Sequence, residues 1–213
     1  MKEYNAQKLP GSDGEHILQN QLHTQKQALA FYNKQVLDEL APMMQSFIKA
    51  QEMVFISTAD KHGECDASFR AGEPGFIQII DKKTIIYPEY KGNGIMASMG
   101  NITENGHIGL LFIDFFEKTI GLHVNGKAKI IQKEDLNFYI KENTEVKKAL
   151  QSQEKIKKIV SYIVIEIEEA YIHCSQYIPL LEKKNKKIHW SLNSTKYKGG
   201  DAFAVKGYPR PWI

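Results

Sequence analysis

A chain of 213 residues, of which 42% are hydrophobic and 25% charged, is long enough for one domain with a sizeable core, and these proportions exclude a disordered protein. The net charge of +3 is too small to predict nucleic-acid binding. Two cysteines are too few for a disulfide framework, the N-terminus lacks the apolar core of a signal peptide, and the apolar run Ile108–Ile113 is too short to span a bilayer. We therefore expect a cytoplasmic protein without nucleic-acid or membrane partners.

Residues 1–52 are predicted to form a helical arm. Ser12 and Glu15 have the spacing of a capping box, and Pro42 is placed to open a further helix. The apolar residues expected on the inward side of these helices are Ile17, Leu18, Leu22, Leu29, Val36, Leu37, Leu40, Met43, Met44, Phe47 and Ile48. Such helices pack on, or embrace, another surface, and a simple packing arm is the plainer interpretation.

From Met53 onward the apolar period changes to two, which predicts strands. The predicted strands are 53–58, 64–69, 76–80, 84–87, 107–114, 119–131 and 160–174. The predicted helices are 94–104, two pieces within 133–158, and a short one near 176–184. Short strands joined mostly by tight turns indicate an antiparallel barrel over residues 53–190, followed by a tail over 191–213.

Two polar and cationic clusters are candidates for binding a phosphate. Asp66, Ser68 and Arg70 share one face of a predicted strand, and the segment 91–93 (Lys-Gly-Asn) lies at the mouth of a predicted helix. Backbone N–H groups and the helix dipole favour an anion at a helix N-terminus, and Arg and Lys supply the counter-charge. Tyr87 alternates inward and either flanks an aromatic ligand or packs in the core.

The segment Gly92–Ala97 also matches the G-x-G-x-x-A pattern of dinucleotide-binding folds. In that pattern the first glycine ends the strand directly, whereas four residues, 88–91, intervene here. The βαβαβ repetition of such folds is also missing. We therefore set this interpretation aside.

A set of motifs occurs in a fixed order over residues 50–132, namely Phe55–Asp60, Gly63, Asp66–Arg70, Pro74–Phe76, Pro88, Gly92–Asn93, Asn101–Asn105, Gly109–Phe112 and Val124–Ala128. This ordered set resembles the pyridoxamine 5′-phosphate oxidase-like, FMN-binding split-barrel superfamily. The resemblance implies a mainly β fold with flanking helices (α+β), a six-stranded antiparallel split barrel. It also implies a homodimer that holds FMN in two equivalent clefts between the subunits.

The resemblance also implies which residues bind FMN. In the family, one strand contacts the ribityl phosphate and the flavin edge, one strand end lies beside the isoalloxazine, and one loop helps to hold the phosphate. The matching residues are, in that order, Ser68 and Arg70; Tyr87 and Pro88; and Lys91, Gly92 and Asn93.

The sequence departs from the family pattern in two places. Many relatives carry one or two arginines after the Gly-Asn pair, where this chain has Gly94-Ile95. True vitamin B6 oxidases end in a motif with Trp and Arg, and the segment 210–212 (Arg-Pro-Trp) does not have that spacing or context. We therefore expect a relative that is not a true vitamin B6 oxidase, in which Lys91 and Arg70 supply the charge.

Four further residues are open to either a structural or a functional interpretation. Trp190 either stacks on the isoalloxazine across the dimer or anchors the tail. His123 lies on the predicted strand 119–131, and His173 and Cys174 lie at the end of the strand 160–174, from where their side chains would reach a cleft. No metal-ligand spacing is present. No catalytic residue is assigned.

The sequence leaves two main functions open, beside a dimeric interaction module that has lost its ligand, an option that the missing arginine after Asn93 keeps open. The first is an FMN-dependent oxidoreductase that acts on a small molecule, with NAD(P)H as a candidate electron donor. The second is a non-catalytic dimer that binds flavin, haem or a deazaflavin for storage, sensing or haem handling. In the first, the cofactor carries the two-electron chemistry while the protein binds and orients it.

Overall fold

The computed structural model describes residues 9–140, 143–156, 159–185, 188 and 200–212. The helices are α1 (Asp13–Gln21), α2 (Gln25–Gln35), α3 (Pro42–Ala50), α4 (Ala97–Glu104), α5 (Leu136–Ile140) and α6 (Thr144–Ile156). The strands are β1 (Met53–Ala59), β2 (Cys65–Ala71), β3 (Gln78–Asp81), β4 (Thr84–Tyr90), β5 (His107–Ile113), β6 (Gly121–Ile131) and β7 (Ile159–His173).

The strands form one sheet of seven in the order β2-β1-β5-β6-β7-β4-β3, and each pairing between them is antiparallel. This confirms the predicted fold class, a mainly antiparallel β fold with flanking helices. The count of six that the resemblance implied is wrong, because β3 pairs with β4 as a separate edge strand. The antiparallel pairing also excludes the dinucleotide-binding fold, which needs parallel strands.

The sheet buries a different apolar cluster on each face. In β1, Val54, Ile56 and Thr58 are buried while Phe55 and Ser57 are exposed, as the period of two predicts. The larger cluster lies on the inner face with α3 and α4, and the smaller one lies beneath α5 and α6. We use "inner face" below for the face of β1 that carries Val54 and Ile56.

The N-terminal helices begin where the sequence predicts. Ser12 and Glu15 form the expected capping box at α1, and Pro42 is at the start of α3. Ile48 and Leu40 are buried as predicted. The predicted inward positions are wrong for five residues that are 42–77% exposed, namely Ile17, Leu18, Leu22, Leu37 and Met43. Neither α1 nor α2 contains a buried residue, because these helices lie outside the two cores.

Two predicted helices differ from the observed ones. Helix α4 begins at Ala97 rather than near residue 94, because Gly94 and Met96 have left-handed φ angles of +86° and +60° that no α-helix accommodates. The helix predicted near 176–184 is a single 3₁₀ turn, Ser175–Tyr177. In the described part of the chain, no helix combines the length and the apolarity needed to cross a membrane.

Candidate functional site

The polar residues of β2 lie on the inner face. Asp66, Ser68 and Arg70 are in register with the buried Thr58, Ile56 and Val54 of β1, and cross-strand partners point to the same side of a sheet. All three polar residues are half-buried. The prediction that these three residues share one face is therefore confirmed. The same face of the sheet also carries the larger apolar core.

An ion pair joins β2 to β4, two strands that are not neighbours in the sheet. Arg70 Nε lies 3.0 Å from Glu89 Oε2, and the exposed fractions of the two side chains are 19% and 9%. Because the strand order places β2 and β4 far apart, the sheet must curl for this contact to form. A side-chain contact rather than a strand ladder links the two strands, so the sheet is bent but not closed.

The pair brings Arg70 to the end of β4. Glu89 comes two positions before Lys91, which opens the loop between β4 and α4. The guanidinium of Arg70 therefore contacts the strand that leads directly into residues 91–93, the second of the two clusters predicted to bind a phosphate. Burial raises the pKa of Glu89, and Arg70 opposes that shift.

Tyr87 and Pro88 are buried within β4. Tyr87 is 1% exposed, belongs to the inner core, and has a hydroxyl without a hydrogen-bond partner in the described part of the structure. Burial raises the pKa of this phenol. Pro88 is tolerated because β3 pairs with β4 only as far as Ile86, so the later residues of β4 have no partner on that edge.

The loop 91–94 is an exposed turn. Lys91 O accepts a hydrogen bond from Gly94 N at 2.9 Å, and Asn93 Oδ1 accepts one from Ile95 N at 3.0 Å. A Cβ atom added at Gly94 would meet nothing within 4 Å. No side chain caps the first turn of α4, so amide donors and an exposed lysine lie close together in the chain.

A hydroxyl cluster lies beside the ion pair on β2. Ser68 Oγ and Ser98 Oγ donate to Asp66 Oδ2 at 2.9 and 3.0 Å, and the two hydroxyls are 3.1 Å apart. Ser98 is on α4 and is 3% exposed. The cluster therefore fixes α4 against β2. It also places the carboxylate of Asp66 beside Ser68, a residue predicted to contact the phosphate.

Replacing Ser98 by alanine is expected to lower the free energy of unfolding by about 1–2 kcal/mol, because it removes a buried donor from a partly buried carboxylate. Urea denaturation measures this loss. Ser46→Ala, which removes an exposed hydroxyl bonded to Pro42 O, is the matched control and should change stability by less than about 0.5 kcal/mol. Equal losses in the two variants would show that the cluster does not stabilise the fold.

The remaining candidates lie elsewhere. His123 Nε2 and His173 Nδ1 are 2.9 Å apart on the outer face of the sheet, and the ring of His123 stacks on Tyr171 with centroids 4.7 Å apart. Burial and His173 lower the pKa of His123. Cys174 is an exposed free thiol, and Trp190 lies outside the described residues.

A cavity of about 310 Å³ opens between α3, β3 and α6. None of the residues predicted to bind FMN that the structure describes lines it. Its lining residues are Gln45, Lys49, Gln78–Lys82, Asn143, Glu145 and Val146.

Sequence reasoning missed Glu89 and Ser98. The alternation in β4 contained the signal for Glu89, because a residue two positions after the inward Tyr87 must also point inward. Ser98 gave no such signal, since its role depends on where α4 packs against β2.

The family model for pyridoxamine 5′-phosphate oxidase matches residues 40–174, which include both clusters. The chain belongs to this family. No curated protein matches it.

Several solved structures are similar to this chain. HupZ from Group A Streptococcus is 21% identical, and the match covers 67% of this chain and 99% of HupZ with a TM-score of 0.48. For an FMN-binding protein from Syntrophomonas wolfei subsp. wolfei, the identity is 17%, the coverage 76% and 98%, and the TM-score 0.45. An F420 reductase is 15% identical, with coverage of 62% and 96% and a TM-score of 0.37.

Proposed function

We propose that this protein binds FMN with its phosphate between β2 and the end of β4, and that it is an FMN-dependent oxidoreductase acting on a small molecule. Family membership supports the cofactor. The single observation that carries the proposal is the contact between Arg70 and Glu89. It brings the guanidinium of Arg70 to β4, the strand that leads directly into the second predicted cationic segment, residues 91–93.

The donors near this junction suit a phosphate group. Lys91 is exposed and has no ion-pair partner among the described residues. The glycines of the loop leave space for close approach, and the uncapped first turn of α4 offers amide donors. Lys91, the loop amides and Arg70 would hold the phosphate, while the bound flavin would supply two-electron transfer.

The protein's own part in this function is binding and orientation. The hydroxyls of Ser68 and Ser98 are fixed on the carboxylate of Asp66, so this cluster would present a rigid surface to the ligand. Glu89 and Tyr87 lie deep in the sheet and do not provide an accessible acid or base. We assign no protein group to proton transfer.

The test is whether purified protein takes up FMN and turns yellow, and whether Arg70→Ala and Lys91→Ala lose the flavin. Bleaching of bound flavin by NAD(P)H and its repeated recovery with oxygen or a dye would support the oxidoreductase. Bound flavin that only dithionite reduces would favour the binding protein without turnover. A colourless protein that ignores added FMN would contradict the proposal.

We also propose that two copies associate through the outer face of the sheet. A row of in-register side chains crosses it from β2 to β7, namely Phe69, Phe55, Leu111, His123 and Tyr171. Phe69 and Phe55 are 52% and 41% exposed, with ring centroids 5.6 Å apart. Leu111, His123 and Tyr171 are half-buried, so the row is an apolar and aromatic strip with two exposed phenylalanines at its β2 end. Exposed aromatic side chains of this kind are typical of a protein interface.

Phe55→Glu is expected to shift the protein from dimer to monomer, because it places a charge between Phe69 and Leu111 in this row. Light scattering coupled to size-exclusion chromatography measures the mass. Phe203→Glu is the control, since Phe203 is 89% exposed and outside the sheet, and it should leave the mass unchanged. A wild-type monomer, or a Phe55→Glu dimer of unchanged stability, would contradict this interface.

A further inference from the structure

We propose that Glu89 sets the anion specificity of this site, because its carboxylate occupies the side of Arg70 that a ligand phosphate would otherwise bind. The inference rests on the proposed function and goes beyond it. It assigns a role to a residue that none of the sequence motifs singled out as a ligand contact.

The guanidinium of Arg70 is already engaged on two sides. Its Nε donates to Glu89 Oε2 at 3.0 Å, and its Nη1 donates to the carbonyl oxygen of Phe69 at 3.2 Å. A phosphate that approaches Arg70 therefore meets a carboxylate that is only 9% exposed. Two negative charges in a partly buried place repel each other more strongly than they would in water.

The second half of the cluster shows the same arrangement. The hydroxyls of Ser68 and Ser98 both donate to Asp66, so the donors that this face offers to a phosphate are directed at a carboxylate. The two carboxylates of Asp66 and Glu89 therefore stand against the single guanidinium of Arg70. The inner face thus binds its own carboxylates, and Lys91 is left as the exposed cation of the site.

Glu89 consequently competes with the phosphate instead of assisting it. The phosphate of a ligand is attracted by Arg70 only if the carboxylate of Glu89 moves away from the guanidinium. The binding of the rest of the ligand does not depend on this movement. Neutralising Glu89 should therefore strengthen the binding of FMN but leave the binding of riboflavin, which lacks the phosphate, unchanged.

The experiment measures dissociation constants for FMN and riboflavin by quenching of flavin fluorescence, in the wild-type protein and in Glu89→Gln. Glutamine keeps the shape and an acceptor oxygen for Arg70 but removes the charge. The expected result is that the dissociation constant for riboflavin, divided by the dissociation constant for FMN, rises about tenfold or more in the variant. Glu154→Gln is the matched control, because Glu154 is a carboxylate paired with Lys133 at 3.6 Å beside the smaller core, and its ratio should not change.

Each outcome decides between the possibilities. Flavin binding by the wild-type protein with an unchanged or smaller ratio in Glu89→Gln would overturn this inference alone, since Glu89 would then orient Arg70 for the phosphate. Tighter binding of FMN by Glu89→Gln than by the wild-type protein, with unchanged binding of riboflavin, would support the inference. If neither protein binds either flavin, the proposed function fails and the inference fails with it.

Discussion

Replacing Arg70 by alanine is expected to lower the free energy of unfolding by about 3 kcal/mol at neutral pH, because it leaves the carboxylate of Glu89 buried without its cationic partner. Urea denaturation followed by circular dichroism measures the change. The control is Lys83→Ala. Its ion pair with Asp38 is short, at 2.7 Å, but its two side chains are 51% and 74% exposed, so solvent screens the pair and the loss should be much smaller than in Arg70→Ala.

The loss in Arg70→Ala should depend on pH. Burial raises the pKa of Glu89 in the folded protein, and Arg70 limits that rise, so its removal raises the pKa further. A carboxyl whose folded pKa is raised stabilises the fold below its unfolded pKa, and this contribution disappears as the pH rises through the folded pKa. The deficit of Arg70→Ala should therefore be small in acid and grow toward neutral pH.

A double variant provides the check on this explanation. Arg70→Met combined with Glu89→Met should recover most of the stability, because apolar side chains of similar size replace a buried pair at little cost. A deficit that is the same at every pH, or a double variant less stable than Arg70→Ala, would show that the pair does not act as a buried charge pair.

Replacing Gly126 by alanine is expected to destabilise the protein by at least about 3 kcal/mol. Gly126 lies at the irregularity between β6 and β7, where an added Cβ would lie 2.1 Å from the carbonyl oxygen of Glu166. That atom belongs to the backbone of the central strand pair, so the clash cannot be relieved by a side-chain rotation. Thermal and urea denaturation measure the loss.

Gly100→Ala is the control for Gly126→Ala. Gly100 lies within α4, where an added Cβ meets nothing within 4 Å. Alanine is favoured over glycine in a helix, so this variant should be as stable as the wild-type protein or more stable by up to about 1 kcal/mol. Similar stabilities for the two variants would mean that β6 and β7 do not approach as closely as described.

Local features of the fold could be predicted from the sequence because they depend on neighbouring residues. The capping box at Ser12, the helix start at Pro42 and the alternation of β1 each follow from spacing alone. The predicted start of α4 near residue 94 is wrong, because the left-handed conformation of Met96 is rare for a residue with a side chain and has no sequence signal.

The site was less predictable than the fold. The shared face of Ser68 and Arg70 follows from the period of a strand, but the contact between Arg70 and Glu89 depends on how far the sheet curls between β2 and β4. That curvature comes from long-range packing of the inner core. The sequence therefore indicated a cation at residue 70 without indicating the carboxylate that faces it.

The most direct test of the central claim is a crystal structure of the protein with FMN. We expect the phosphate oxygens within hydrogen-bond distance of both Arg70 and Lys91, with the carboxylate of Glu89 moved away from the guanidinium. A flavin phosphate bound elsewhere on the protein, or bound by only one of these two cations, would contradict the account.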